Sequence, residues 1–102
     1  MITIIALLTI RDPEAFDQFE RQAAAIMNSY GGGIDVAFRP KTSSKQTPNV
    51  DEVHLLKFPD HDTFDRYRSD DRLLALSTLR QKAISQSTVY VSDIEVDYSG
   101  LE

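Results

Sequence analysis

His54 is the side chain best suited to moving protons in this chain of 102 residues. Imidazole titrates near neutrality, so burial or a charged neighbour carries it across the physiological range. His54 precedes Leu56 by two residues and Phe58 by four, and in a strand all three share a face. If helices cover that face, His54 is a partly buried proton carrier; at the wet end of the strand it only hydrogen-bonds a neighbour. Arg80 offers the complementary chemistry, a fixed charge whose planar fork grips a carboxylate or an oxyanion at two points. The same fork can instead brace the chain after Gly33 or pair with an acid of a partner chain. His54 and Arg80 are therefore the candidate catalytic residues. Tyr30 and Tyr67 end or lie on apolar helical stripes, where a phenol either packs with its hydroxyl at the rim or lines a pocket. Asp35 sits on a short strand beside Ala37 and Arg39, as an ion-paired or solvated group or as a general base. These three are the candidate substrate-binding residues.

Other clusters carry less. Asp60-His61-Asp62 holds three possible metal ligands, but their adjacency points them in different directions, and a capped helix start accounts for all three. Gly31-Gly32-Gly33 has no strand leading into it, no helix opening after it and no Lys-Ser/Thr, so it is not a phosphate loop. With Cys 0 and His 2, thiolate sites, disulfides and a three-histidine zinc site are excluded. The expectation is chemistry without a metal or a bound cofactor.

The elements that must position these residues are legible. Met1 to Ile10 is rich in β-branched residues and apolar at both parities, as in a central strand buried on both faces. It is far shorter than the ~20 apolar residues of a membrane span, and no basic residue precedes it. Asp12-Pro13-Glu14 opens a helix. Its buried stripe is Phe16, Phe19, Ala23, Ile26 and Tyr30, with Asp17, Gln18, Glu20, Arg21 and Gln22 largely off it. The glycine run ends it. Ile34 to Arg39 alternates, with Ile34, Val36 and Phe38 on one face. Residues 40–49 form a loop, Val50 to Phe58 a strand, and Pro59 stops it. A short helix follows Asp60, and Ser69-Asp70-Asp71 marks a break and a restart. Leu73, Leu76, Leu79 and Ala83 make the next stripe, and Thr88 to Tyr98 alternates as a long last strand. The order β-α-β-β-α-β is the ferredoxin-like split βαβ motif, an α+β fold with a four-stranded antiparallel sheet.

Composition fits one globular domain spanning residues 1–102, with 41% hydrophobic and 26% charged residues. A net charge of -5 argues against nucleic-acid binding, which needs a basic face. The basic stretch around Arg39, Lys41 and Lys45 is too short for one; the acidic stretch Asp93, Glu95 and Asp97 is its natural counterpart. Neither a leader nor an anchor is expected, and a cytoplasmic protein is.

Tyr30-Gly31-Gly32, Phe58-Pro59, Phe64, Tyr67-Arg68-Ser69 and Leu79-Arg80, taken in that order, resemble the dimeric α+β-barrel superfamily. The likeness is greatest to a group of small uncharacterised proteins related to antibiotic-biosynthesis-type monooxygenases. The resemblance implies two ferredoxin-like subunits packed sheet to sheet, and hence a homodimer. Both faces of the first strand are apolar, which requires the same cover. The superfamily spans cofactor-independent monooxygenases, haem-degrading enzymes and small isomerases, so the fold does not select a reaction. Trp is 0 here, which departs from the haem-degrading members. Two readings follow. One is a pocket between sheet and helices for a small aromatic or acidic molecule, with cofactor-independent oxygenase or isomerase-type chemistry. The other is a non-catalytic homodimeric accessory or ligand-sensing module.

Overall fold

A computed structural model describes residues 1–41 and 49–100; Lys45 and most of the 40–49 loop lie outside them. Four strands, β1 (Ile2–Ile10), β2 (Gly33–Phe38), β3 (Glu52–Phe58) and β4 (Ile84–Val91), form one sheet in the order β2-β3-β1-β4. All neighbouring pairs are antiparallel. Helix α1 (Pro13–Asn28) joins β1 to β2, while α2 (His61–Arg68), α3 (Asp71–Leu74) and α4 (Ser77–Ala83) join β3 to β4. This is the ferredoxin-like β-α-β-β-α-β arrangement, with the second helical segment broken in three rather than two.

Local chemistry sets the breaks. Asp12 caps α1 by accepting from the amides of Glu14 and Ala15, and Asp60 forms a capping box with Thr63. His61 is exposed at that start, so the Asp60-His61-Asp62 cluster is a capped turn. Asp70 restarts the chain as the cap of α3. Its carboxylate also accepts from the Tyr30 hydroxyl at 2.6 Å and from Arg72 at 3.0 Å, while Arg72 reaches Ser29 at 2.9 Å. The Arg72 guanidinium, followed by Tyr30, holds the Asp70 carboxyl well below the ordinary 3.8. A depressed carboxyl contributes stability that is complete above its unfolded pKa and is lost as pH falls through the folded one. Thermal unfolding followed below pH 3.8 should therefore fall more steeply for the wild type than for Asp70→Asn, which lacks the contribution at every pH. Parallel curves would contradict this.

Two expectations about strands need correction. The last strand begins at Ile84 and ends at Val91, not Thr88 to Tyr98. Among the described residues β4 pairs with β1 alone, from Ile10↔Ile84 to Ile4↔Val91. A last contact at Ser92 meets Thr3, where β1 is starting. The later alternation therefore has no partner strand among the described residues, and Ile94, Val96 and Tyr98 are exposed. In β2, Ile34, Val36 and Phe38 do not share a face. Ile34 pairs with Leu56 but Val36 pairs with Leu55, so Asp35 is a bulge and reverses the parity beyond it. Ile34 faces the helices, while Val36 and Phe38 lie on the open face and are about half exposed. The ion pair expected between the basic stretch and Asp93, Glu95 or Asp97 is not made by Arg39, which pairs with Glu52 at 3.1 Å.

Ile4, Ala6, Leu8, Leu56 and Phe58 point from the sheet to the helices, and all are buried. They join two clusters, one with Phe16, Phe19, Ala23 and Ile84, the other with Ile26, Met27, Phe64 and Tyr67. The two sequence motifs around the glycines and Phe58-Pro59 meet in space. Gly31 has φ 73°, and the bonds Gly32 N–H to Met27 O and Gly31 N–H to Asn28 O close the helix end. Gly32 lies flat against the fully buried ring of Phe58.

Candidate functional site

A cavity of about 430 Å³ opens where the two clusters meet, between the sheet and the α1, α2, α3 and α4 helices. Most of its wall is apolar, from Ile4, Ala6 and Leu56 on the floor to Phe64, Leu73 and Leu74 overhead. Its polar groups are His54, Glu20, Tyr67, Arg68, Arg80, Ser77 and Ser87. Such a lining, apolar with a few convergent polar groups, is the usual form of a small-molecule site.

His54 is on the helix face of β3, opposite Ala6 of β1, and is 3% exposed. Phe16 covers its ring at 6.1 Å between centroids. Two carboxylates flank it: Nε2 lies 2.6 Å from Glu52 Oε2 and Nδ1 lies 3.7 Å from Glu20 Oε1. Arg39 donates to the other oxygen of Glu52. In the tautomer that carries its hydrogen on Nε2, His54 donates to Glu52 Oε2, and Nδ1 is a lone pair facing Glu20. Burial pushes the Glu20 carboxyl above its ordinary 4.5; His54 opposes the rise, Glu52 adds to it and Arg80 opposes it.

Arg80 is exposed on α4 and donates from Nη2 to Ser87 Oγ of β4 at 2.9 Å. Among the described residues it braces neither the chain after Gly33 nor an acid, and its remaining donors are at the cavity rim. Arg68 stands at the rim too, with its guanidinium carbon 5.4 Å from the centre of the Phe64 ring. Tyr67 is 7% exposed; burial, reinforced by Glu20 and eased by Arg80, raises its phenol far above the ordinary 10.0. The cavity thus has a cationic mouth and, within apolar walls, the largely buried polar side chains His54, Glu20 and Tyr67.

Three of the five residues singled out in the sequence, His54, Arg80 and Tyr67, line this cavity. Tyr30 and Asp35 do not. Tyr30 is committed to Asp70 at the end of α1, and the bulge leaves Asp35 exposed beside Gly33 and Lys57. Glu20 and Glu52 escape the sequence reading. Glu20 counts there as off the apolar stripe, yet it follows Phe16 by four residues and precedes Ala23 by three, which is the buried face of α1. Glu52 precedes His54 by two and so shares its side of the strand. Among the described residues, no group of three or more His, Cys, Asp and Glu side chains is arranged to hold a metal ion. No helix among them is long and apolar enough to cross a membrane.

The profile of a domain of unknown function, DUF1330, matches residues 3–94. No curated protein matches the chain. Among solved structures it is similar to the RPA0582 protein of unknown function from Rhodopseudomonas palustris, with a TM-score of 0.78 and 17% identity over 94% of this chain and 83% of that one. It is similar to SnoaB, a cofactor-independent oxygenase from Streptomyces nogalater, with a TM-score of 0.68 and 16% identity over 96% of each chain. A dimeric protein of unknown function and ferredoxin-like fold from Bacteroides fragilis gives a TM-score of 0.55 and 10% identity over 91% of this chain and 95% of that one. At these identities the likeness is one of fold.

Proposed function

Because the chain belongs to the DUF1330 family and has a ferredoxin-like fold, we propose that it is a homodimer whose subunits each bind a small organic acid with an apolar body. The observation that carries this reading is that buried His54 and rim-exposed Arg80 both open onto one cavity. An apolar ring or chain fills the space under Phe64 and Leu73. Its carboxylate meets the free donors of Arg80 at the mouth. The other end approaches His54. A closed interface filled by side chains would have favoured the non-catalytic module, and the cavity volume speaks for a ligand.

The homodimer rests on the other side of the sheet. Ile5, Leu7, Val36, Phe38, Val53 and Leu55 lie on the face away from the helices, and such an apolar face calls for cover. The dimeric ferredoxin-like neighbour supports the same arrangement. Sedimentation should give about twice the 11.5 kDa chain mass; a compact monomer at micromolar concentration would contradict it.

The ligand reading is tested with phenylacetate and its neutral amide in a thermal-shift and calorimetric titration. Hydrogen bonds to a charged group contribute about 1.5–3 kcal/mol, so Arg80→Ala should weaken phenylacetate at least ~tenfold. The amide should bind the wild type and the variant alike. Equal affinity for acid and amide in the wild type would contradict the role given to Arg80.

A further inference from the structure

We propose that Glu20 and His54 form an acid–base pair that enolises a carbonyl ligand in this cavity, with Glu52 as the positioning residue that keeps Nδ1 of His54 free. The inference rests on the ligand reading above and adds a reaction class, proton transfer, and two residues. Its basis is the arrangement of three side chains. His54 is nearly inaccessible, its Nε2 is occupied by Glu52 at 2.6 Å, and its Nδ1 stands 3.7 Å from Glu20 Oε1. That separation is beyond a hydrogen bond but leaves two different proton-handling atoms side by side, both belonging to residues that line the cavity. One is a lone pair in the tautomer that donates from Nε2 to Glu52, the other a carboxyl that burial favours in its protonated form.

The chemistry balances without an oxidant or a co-reactant. Nδ1 forms a bond to the hydrogen on the carbon next to the carbonyl, and that C–H bond breaks. Its electron pair becomes the C=C bond of the enol, and the carbonyl π pair moves onto oxygen. The Glu20 carboxyl gives its proton to that oxygen. The pair is left as imidazolium and carboxylate, and passage of the proton from Nδ1 to Oε1 resets both. Where the proton held on the pair swaps with water before reversal, the same carbon takes up a solvent hydrogen; reprotonation at a conjugated carbon isomerises the ligand. Glu52 stabilises the imidazolium stage through the Nε2 hydrogen. Arg80 holds a carboxylate at the mouth, so the favoured ligand is an apolar keto acid with an acidic C–H.

Phenylpyruvate is a suitable probe, having an aromatic body, a carboxylate and an enolisable CH₂. Its hydrogen–deuterium exchange in D₂O is followed by proton NMR, with binding read from saturation transfer in the same samples. The wild type should accelerate exchange by about 10²-fold or more over buffer, the scale of positioned acid–base groups. His54→Gln and Glu20→Gln, chosen to keep volume and polarity, should lose at least ~tenfold of that rate while still binding. Glu52→Gln should lower the rate at saturation with little change in the concentration giving half-maximal rate. It should also change the ¹⁵N shifts of His54, which report Nε2–H in the wild type. Binding without acceleration, or acceleration that survives both His54→Gln and Glu20→Gln, would overturn the acid–base pair and leave the ligand reading standing. Absence of phenylpyruvate binding would overturn both.

Discussion

Gly32→Ala is expected to destabilise the protein by about 1–3 kcal/mol, the scale of overpacking a filled core. A Cβ at Gly32 falls 2.5 Å from Cδ2 and Cε2 of Phe58, closer than carbon atoms approach. The ring cannot swing aside, because Phe58 is 0% exposed and packs on Phe64 and Tyr67 at 5.1 and 5.3 Å between centroids. Backbone strain is not the cause, since the left-handed residue is its neighbour Gly31. Phe58→Ala alone should cost about 3–5 kcal/mol through the cavity it leaves. In the double variant, the methyl introduced by Gly32→Ala enters vacated space, so the two effects should sum to less than their separate values. Urea unfolding of the four proteins checks this. Additive effects would mean that Gly32 and Phe58 are not in the contact described.

His54→Ala should cost about 1–3 kcal/mol, the scale of leaving a buried hydrogen-bonding group without its partner. Glu20 and Glu52 are only 16% and 14% exposed at their side chains, and without the imidazole they face one another across its space. Arg39 remains with Glu52, so the stranded group is Glu20. Adding Glu20→Gln to His54→Ala should therefore restore much of the loss. The pH dependence has a definite sign. The Glu20 pKa is raised in the folded protein, so its contribution to stability is full below the ordinary 4.5 and is lost as pH rises through the folded value. His54 is the strongest influence opposing that rise, and its removal extends the loss to higher pH and deepens it. Glu20→Gln abolishes the loss altogether. If His54→Ala is as stable as the wild type at every pH, the buried triad is not energetically coupled.

The fold is readable in the sequence because its signals are local. Caps at Asp12, Asp60 and Asp70, the glycine stop after Tyr30 and the stripe of α1 each follow from a few neighbouring residues. Strand ends are less readable, since a strand stops where its partner stops. Nothing in Asp93 to Tyr98 reveals that β1 has already run out at Ile2, and no local pattern marks Asp35 as a bulge. For the site, His54, Arg80 and Tyr67 stand out by residue type and are brought to one cavity. Tyr30 is diverted by Asp70, an acid forty residues away in the sequence. Glu20 is hidden by the habit of counting charged residues as solvent-facing; its helical position points inward, where His54 across the interface and Arg80 offset part of the cost of burial.

The central claim is that a carboxylate ligand enters the cavity and reaches His54. The chain has only 2 histidines, and His61 is exposed at the start of α2, away from the cavity lining, so it serves as an internal reference. Imidazole proton and ¹⁵N resonances followed during a phenylacetate titration report on both at once. The expected result is a saturable shift of the His54 signals with His61 unmoved, weakened at least ~tenfold in Arg80→Ala. A titration that leaves His54 unchanged, or moves only His61, would contradict the account.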